Sequence, residues 1–348
     1  MLGKMRESSV NCSVTRLADT ETAGLPAEHM DDRKQIAEKI MGLTGWASVG
    51  QFEIHSDTTD WMRIKRGDIM RLGHHDYLVR GNPHETRFGI GEQPKYWVFS
   101  ALELETGEHK IIKTVFLEDF YVHVGIFKIH CYRSSEKEGF VLDIAKGDER
   151  FMQGYTVMDT RENRVRIIDF IRGKTVFSYV HGIDKCHELY FHEDLPNILR
   201  NLTDCFEAID FLHKHGTCHG DIRNDHIIID ADTGRYRWID FDLNQHVSDY
   251  DVWSLGNIIN YVVGKGINSF QQILKGDRFS EEVKESLRPE DGSAFFEYRV
   301  MNLRKLYPYI PPKLDNILNH FTIEPKAYYS NCSRLIEDYQ EMLEAEFP

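Results

Sequence analysis

No stretch of this chain approaches the roughly 18 consecutive apolar residues of a membrane-spanning helix. The N-terminal MLGKMRESSVNCSV lacks the apolar centre of a secretory signal. The six cysteines, at positions 12, 131, 186, 205, 218 and 332, form no CxxC pair and no regular spacing. A reduced, cytoplasmic setting with no membrane partner is the expectation. Positive charge is also scarce: 42 Lys and Arg face 56 Asp and Glu, a formal charge of −14. The pI is about 5.6. A nucleic-acid surface needs a basic stripe, so that class of partner is excluded, whereas an anionic ligand held locally is not. Internal repeats and low-complexity tracts are absent too.

What is present is a folded composition, 41% hydrophobic and 12% aromatic. At 348 residues, two lobes plus an extension are expected rather than one core. Residues 1–30 are polar and read as a tail. Residues 31–85 read as a short helix, Asp31 to Leu43 with Ile36, Ile40 and Leu43 on one face, followed by a small β appendage. In that appendage Trp61, Ile64, Ile69, Leu72, Tyr77 and Val79 alternate towards a core.

Residues 86–172 are strand-rich. Tyr96 to Glu105 and His109 to Phe116 flank the turn Thr106-Gly107-Glu108, and Tyr155 to Met158 and Val165 to Ile168 flank another. Between them Ser135 is placed to cap a helix carrying Glu136, Glu138, Leu142 and Ala145. Lys113 lies within the apolar run Ile111-Ile112-Lys113-Thr114-Val115, so its ammonium must be paired, in water, or aimed at an anion in a cleft. Arg133, Lys137 and Lys146 read as a solvated helix face. Residues 173–348 are more helical. Leu195 to His213 carries Leu195, Ile198, Leu199, Leu202, Phe206, Ile209 and Leu212 on one face, and Asp251 to Val263 reads as a buried helix. His181, Cys186, His187 and His192 have the residue types of a zinc site but fit no closed spacing.

One stretch concentrates the chemistry: HGDIRNDHIIIDADTGRYRWIDFD, His219 to Asp242. Ile227-Ile228-Ile229 forms one strand, Asp232-Thr233-Gly234 turns, and Tyr236 to Ile239 returns. The hairpin brings Asp221, His226 and Asp240 towards one end of a small sheet. Two carboxylates and an imidazole in a cleft suit metal-assisted chemistry or proton transfer.

In order and spacing, residues 88–345 resemble the protein-kinase-like superfamily, which includes eukaryotic-type protein kinases and aminoglycoside-kinase relatives. The resemblance implies an α+β, bilobal fold: a small antiparallel β lobe with one helix, and a larger, mainly helical lobe. Asp221 matches the aspartate of H-R-D-x-x-x-x-N, which orients the acceptor hydroxyl and can take its proton. Gly220 replaces the arginine, as in the small-molecule kinases. Arg223 stands where protein kinases often carry a phosphate-contacting lysine. Asp240-Phe241-Asp242 matches D-F-G, making Asp240 a metal ligand, and Lys113 matches the phosphate-binding lysine of V-A-I-K. Its helix partner would be Glu138, with Glu136 as the alternative. Gly89-Ile90-Gly91 matches the glycine loop in part, lacking its third glycine. Asp169 to Gly173 resembles the interlobe hinge, where backbone at Asp169 and Ile171 would meet adenine. Asp251 would hold the catalytic loop by accepting backbone N–H groups.

There are two departures. His226 stands in place of the metal-binding Asn, with Asn224 two residues early, and imidazole suits Mn²⁺ or Zn²⁺ better than Mg²⁺. Only Leu243 to Tyr250 separates Asp242 from Asp251, too little for an activation segment, and no A-P-E follows. The resemblance therefore implies ATP with Mg²⁺ or Mn²⁺ and an unidentified hydroxyl acceptor, small molecule or protein. The alternative is a pseudokinase that senses nucleotide or acts as a scaffold. A metal-dependent hydrolase would leave Lys113 and Asp251-Val252-Trp253-Ser254-Leu255-Gly256 without a role.

Overall fold

A computed structural model describes residues 27–46, 52–86, 92–124, 127–245, 250–325 and 327–348. Of the tail expected over residues 1–30, residues 1–26 lie outside the described residues, as does the Gly89-Ile90-Gly91 segment, while residues 27–30 are helical. The chain divides into two compact units, Met1–Phe52 and Glu53–Pro348.

In the first unit α1 (Ala27–Thr44) buries Ile36 and Ile40, one turn apart. Leu43, expected on the same face, is instead 45% exposed. The helix ends where Gly45 takes φ 68° and its N–H bonds Met41 O at 2.9 Å. Arg33 donates to Phe52 O at 2.6 Å and lies 4.7 Å from the Phe52 ring.

The second unit begins with a sheet. Its strands are β1 (Ile54–His55), β2 (Ile69–Leu72) and β3 (His75–Gly81). Next comes the hairpin β4 (His84–Thr86) and β5 (Glu92–Pro94), a small sheet of its own, and then β6 (Val98–Glu103) and β7 (His109–Lys113). A second hairpin, β8 (Asp119–Val124) and β9 (Phe127–Arg133), precedes helix α2 (Ser135–Ile144). The strands β10 (Gly154–Met158) and β11 (Arg164–Asp169) complete the lobe. The main sheet has seven strands in the order β1-β2-β3-β6-β7-β11-β10. The expected β appendage before residue 86 therefore does not stand apart. Tyr77 and Val79 on β3 pair with Glu103 and Ala101 on β6, so those strands join the sheet that carries Lys113. Met70, Tyr77, Val79, Phe99, Ile112, Val165 and Ile167 bury one face of it together. Strand alternation then sends Lys113 and Arg166 to the opposite face.

The helical lobe follows. β12 (Gly173–Thr175) leads into α3 (Val176–His181), α4 (His187–Glu193) and α5 (Leu195–Lys214). The hairpin β13 (Ile227–Asp230) and β14 (Tyr236–Trp238) comes next, then β15 (Leu243–Gln245) and α6 (Tyr250–Val263). The chain ends with α7 (Phe270–Lys275), α8 (Glu281–Ser286), α9 (Pro312–Asn319) and α10 (Cys332–Glu346). α5 buries the stripe read from its 3.6-residue periodicity, Leu195 to Leu212, in one core with α6, α9 and α10. Trp238 is buried in the same core and donates its indole N–H to Cys205 O at 2.9 Å, fixing the hairpin on α5. β15 pairs with β9, Leu243 opposite Arg133, and so ties the segment after Asp242 to the strand leading into α2.

Candidate active site

On β7 and β11, Lys113 and Arg166 are direct cross-strand neighbours. Two like charges so placed repel. Glu138, fully buried on α2, resolves the conflict: Oε1 accepts from Lys113 Nζ at 2.6 Å and Oε2 from Arg166 Nε at 3.0 Å. Glu136 is exposed and lies 3.6 Å from Arg164, so the choice between the two glutamates falls on Glu138. The cap of α2 is Ser134, one residue before the expected Ser135; its hydroxyl accepts from Lys137 N at 3.1 Å.

Asp240 follows β14 and receives Lys113 on Oδ1 and Lys95 on Oδ2, the latter at 3.2 Å. Burial alone would push this carboxyl up; Lys113, then Lys95 and His226, hold it well below the usual carboxylate range. Burial would likewise pull Lys113 down, and Asp240, then Glu138 and Asp242, hold it protonated. Asp240 has φ 66°, a left-handed conformation uncommon outside glycine and a mark of positions where geometry serves a site. Asp242 accepts from Arg133 Nη1 at 2.6 Å and keeps Oδ2 3.9 Å from Lys113 Nζ, while its carbonyl receives Ser134 N–H at 2.7 Å.

Of the expected solvated helix face of Arg133, Lys137 and Lys146, only Lys146 is exposed, and it lies in the turn after α2. Arg133 lies on β9, not on a helix, and spans Asp242 and Glu118. Lys137 is buried and donates to His219 O at 2.8 Å and Leu243 O at 2.5 Å. It satisfies two main-chain carbonyls that packing would otherwise leave unpaired. Their neighbour Gly220 has φ 84°, and a Cβ there would meet Leu243 O at 2.2 Å. This is the physical reason a glycine, not an arginine, precedes Asp221.

Asp251, at the start of α6, accepts the N–H groups of His219 and Gly220 at 2.7 and 2.9 Å, and His213 Nε2 lies 3.0 Å from it. His219 is fully buried and its pKa is lowered to about 3 by burial. This frame presents Asp221 to the cleft, partly exposed. His226 Nδ1 lies 2.8 Å from Asp221 O. A carbonyl can only accept, so Nδ1 donates to it, and Nε2 lies 3.5 Å from Asp240 Oδ2. Asn224 Oδ1 is buried without a hydrogen-bond partner.

A cavity of about 1100 Å³ lies between the sheet and the helical lobe. Lys95, Lys113, Asp221, Asn224, His226 and Asp240 form its polar middle. Val98, Ile111, Met152, Ile168 and Ile171 form an apolar end beside Asp169. The Asp169 carboxylate is engaged by Lys110 at 2.8 Å. Arg223 is in the wall, with its guanidinium on Asp225 at 2.5 to 2.9 Å. Sequence reasoning missed Lys95, Arg166 and the role of Lys137. Arg166 alone carried a signal, as a charge in an otherwise apolar strand. The His181, Cys186, His187 and His192 group is not gathered: His187 is buried with Nε2 on Val263 O at 2.8 Å and Nδ1 on the Tyr309 hydroxyl at 2.7 Å.

A β lobe crossed by one helix, a strand lysine paired to that helix, and a helical lobe carrying an aspartate loop under a buried helix decide the architecture. The fold is α+β and bilobal. No protein-family model matches the chain, and no curated protein does. Among solved structures it is similar to the kinase domain of Mycobacterium tuberculosis PknI, at 11% identity and a TM-score of 0.47. That match covers 80% of this chain and 99% of the PknI domain. A mutant of the same domain matches at the same identity and TM-score, over 98% of its length. Among the described residues no helix is long and apolar enough to cross a membrane.

Proposed function

We propose that this chain is an ATP-dependent phosphotransferase that moves the γ-phosphoryl group to a hydroxyl acceptor. The observation that carries the reading is the convergence of Lys113, Asp240 and Asp221 on one cavity, with Glu138 and Asp251 holding their supports. Phosphoryl transfer asks a protein mainly for positioning and charge. Lys113 and Lys95 supply fixed positive charge at the phosphate-facing end. The apolar end beside Asp169 and Ile171 suits adenine. Asp221 is placed to orient the acceptor hydroxyl and take its proton.

The donor set fits a divalent ion. Asp240 gives a carboxylate, His226 its Nε2, the other ring nitrogen being held by Asp221 O, and Asn224 an amide oxygen with no other partner. Bound there, the ion would neutralise charge on the β- and γ-phosphates. The mixed nitrogen and oxygen donors favour Mn²⁺ over Mg²⁺ when His226 ligates, and Mg²⁺ when Asn224 does.

His226 also favours a second reading, a nucleotide-sensing pseudokinase. ATP turnover by wild type against Asp221→Ala, with Mg²⁺ and Mn²⁺ compared, separates the two. Transfer predicts a fall of 10²-fold or more in the variant, the scale of a lost general base. Equal rates sink the catalytic reading. Thermal stabilisation by ATP without turnover supports the sensor.

A further inference from the structure

The α6 side of the cavity is built differently from the rest. Tyr250, Ser254 and Asn257 lie on one face of α6 at i, i+4 and i+7, and Phe295, Phe296 and Arg299 line the cavity beside them. Arg299 is 8% exposed. Its Nη1 donates to Asn257 Oδ1 at 2.9 Å, its Cζ lies 5.1 Å from the Phe296 ring, and the Tyr298 phenol is beside it. Its Nε is buried with no hydrogen-bond partner, and among the described residues no carboxylate pairs with it. The other arginine buried to this degree, Arg166, is neutralised by Glu138. A guanidinium keeps its charge, so a buried one facing a cavity without a carboxylate is incomplete.

This arginine shares its cavity with the loop aspartate. Asp251, one residue after Tyr250, fixes the His219-Gly220 backbone that presents Asp221. Burial, then the nearby Asp221 carboxylate, pushes the Tyr250 hydroxyl up to about 12. Resting on the phosphotransferase reading, we propose that Arg299 and Asn257 form an anion-recognising acceptor subsite. The molecule phosphorylated opposite Asp221 is then a small hydroxyl compound bearing a carboxylate or phosphate group, clamped by the guanidinium between aromatic walls. A small molecule, not a peptide, is indicated by the depth of Arg299 and by the short Leu243-to-Tyr250 link, which leaves no chain for a peptide ledge.

The test measures binding of inorganic phosphate and of L-lactate to the full chain by calorimetry, with and without a saturating non-hydrolysable ATP analogue and Mg²⁺. Either anion is expected to bind saturably with the nucleotide in place. In Arg299→Gln that affinity falls at least tenfold, while nucleotide affinity stays within twofold. Phosphate alone binding assigns a phosphorylated acceptor; lactate alone assigns a hydroxy acid. Equal affinity in Arg299→Gln overturns the proposal. So does complete displacement of the anion by the nucleotide, because the anion then occupies the Lys113 end, and so does tighter binding of a hepta-glutamate peptide than of either small anion. If Arg299→Gln loses its thermal transition, Asn257→Ala serves instead: at least threefold weaker binding is expected, and unchanged affinity overturns the assignment. Failure of wild type to bind nucleotide counts against the phosphotransferase reading and is seen separately from Arg299-dependent anion binding.

Discussion

Glu138 is the carboxylate on which the sheet lobe turns, because it separates two cations that the strand register forces together. Glu138→Gln keeps the shape and removes the charge. Lys113 and Arg166 then face each other buried, with Asp240 and the more distant Asp242 left to offset them. Breaking a buried pair from one side costs about 3–5 kcal/mol, so urea unfolding should show a loss of that order. A midpoint within error of wild type would contradict the arrangement. The motif residues of this cluster were legible in sequence because each repeats a pattern at a known spacing. Arg166 and Lys137 were not. Their partners, Glu138 for one and the carbonyls of His219 and Leu243 for the other, are brought near only by tertiary packing. A lysine flanked by two glutamates on a ten-residue helix reads as surface until the opposite lobe is in view.

Among the elements, α6 joins the site to the core. Asp251 holds the Asp221 loop, while Gly256, one turn on, lies against Phe321: a Cβ at Gly256 would meet that ring at 2.5 Å. In an exposed helix Gly→Ala gains about 1 kcal/mol. Here Phe321 is buried and cannot retreat, so Gly256→Ala should destabilise by about 1–3 kcal/mol. Thermal melting checks the sign; a raised melting temperature would show that Phe321 yields. The long helices α5 and α6 and the hairpins around Gly107 and Gly234 could be read from periodicity and turn residues. β8 and β9 could not: their residues alternate only weakly, and their sheet is completed by β15, more than a hundred residues later in the chain. The β strands before residue 86 were visible, but their membership of the main sheet was not, because pairing partners are not written in local pattern.

For the whole molecule, two histidines buried in the neutral form set the acid limit. Burial lowers His187 to about 4 and His219 to about 3. In the unfolded chain both take up protons near pH 6.5. The unfolded state therefore binds more protons as pH falls from 6.5 towards 4 and then 3, and stability fully present above 6.5 is lost across that window. Asp240, held low, loses its contribution only below the unfolded carboxylate value of about 3.9. Urea midpoints should fall between pH 7 and pH 5, and less steeply in His187→Gln. A flat profile in wild type would mean that water reaches both rings.

The ion pairs across the cleft also set an order in time. Lys113, Arg133, Glu138 and Arg166 leave the ribosome with the sheet lobe, whereas Asp240 and Asp242 come later, Asp240 lying 127 residues after Lys113. Until residue 242 is made, the nascent sheet lobe has the cations of its inner face but not these two carboxylates. That face stays wetted and open until the hairpin delivers them, so the cleft cannot close before the helical lobe has begun to emerge.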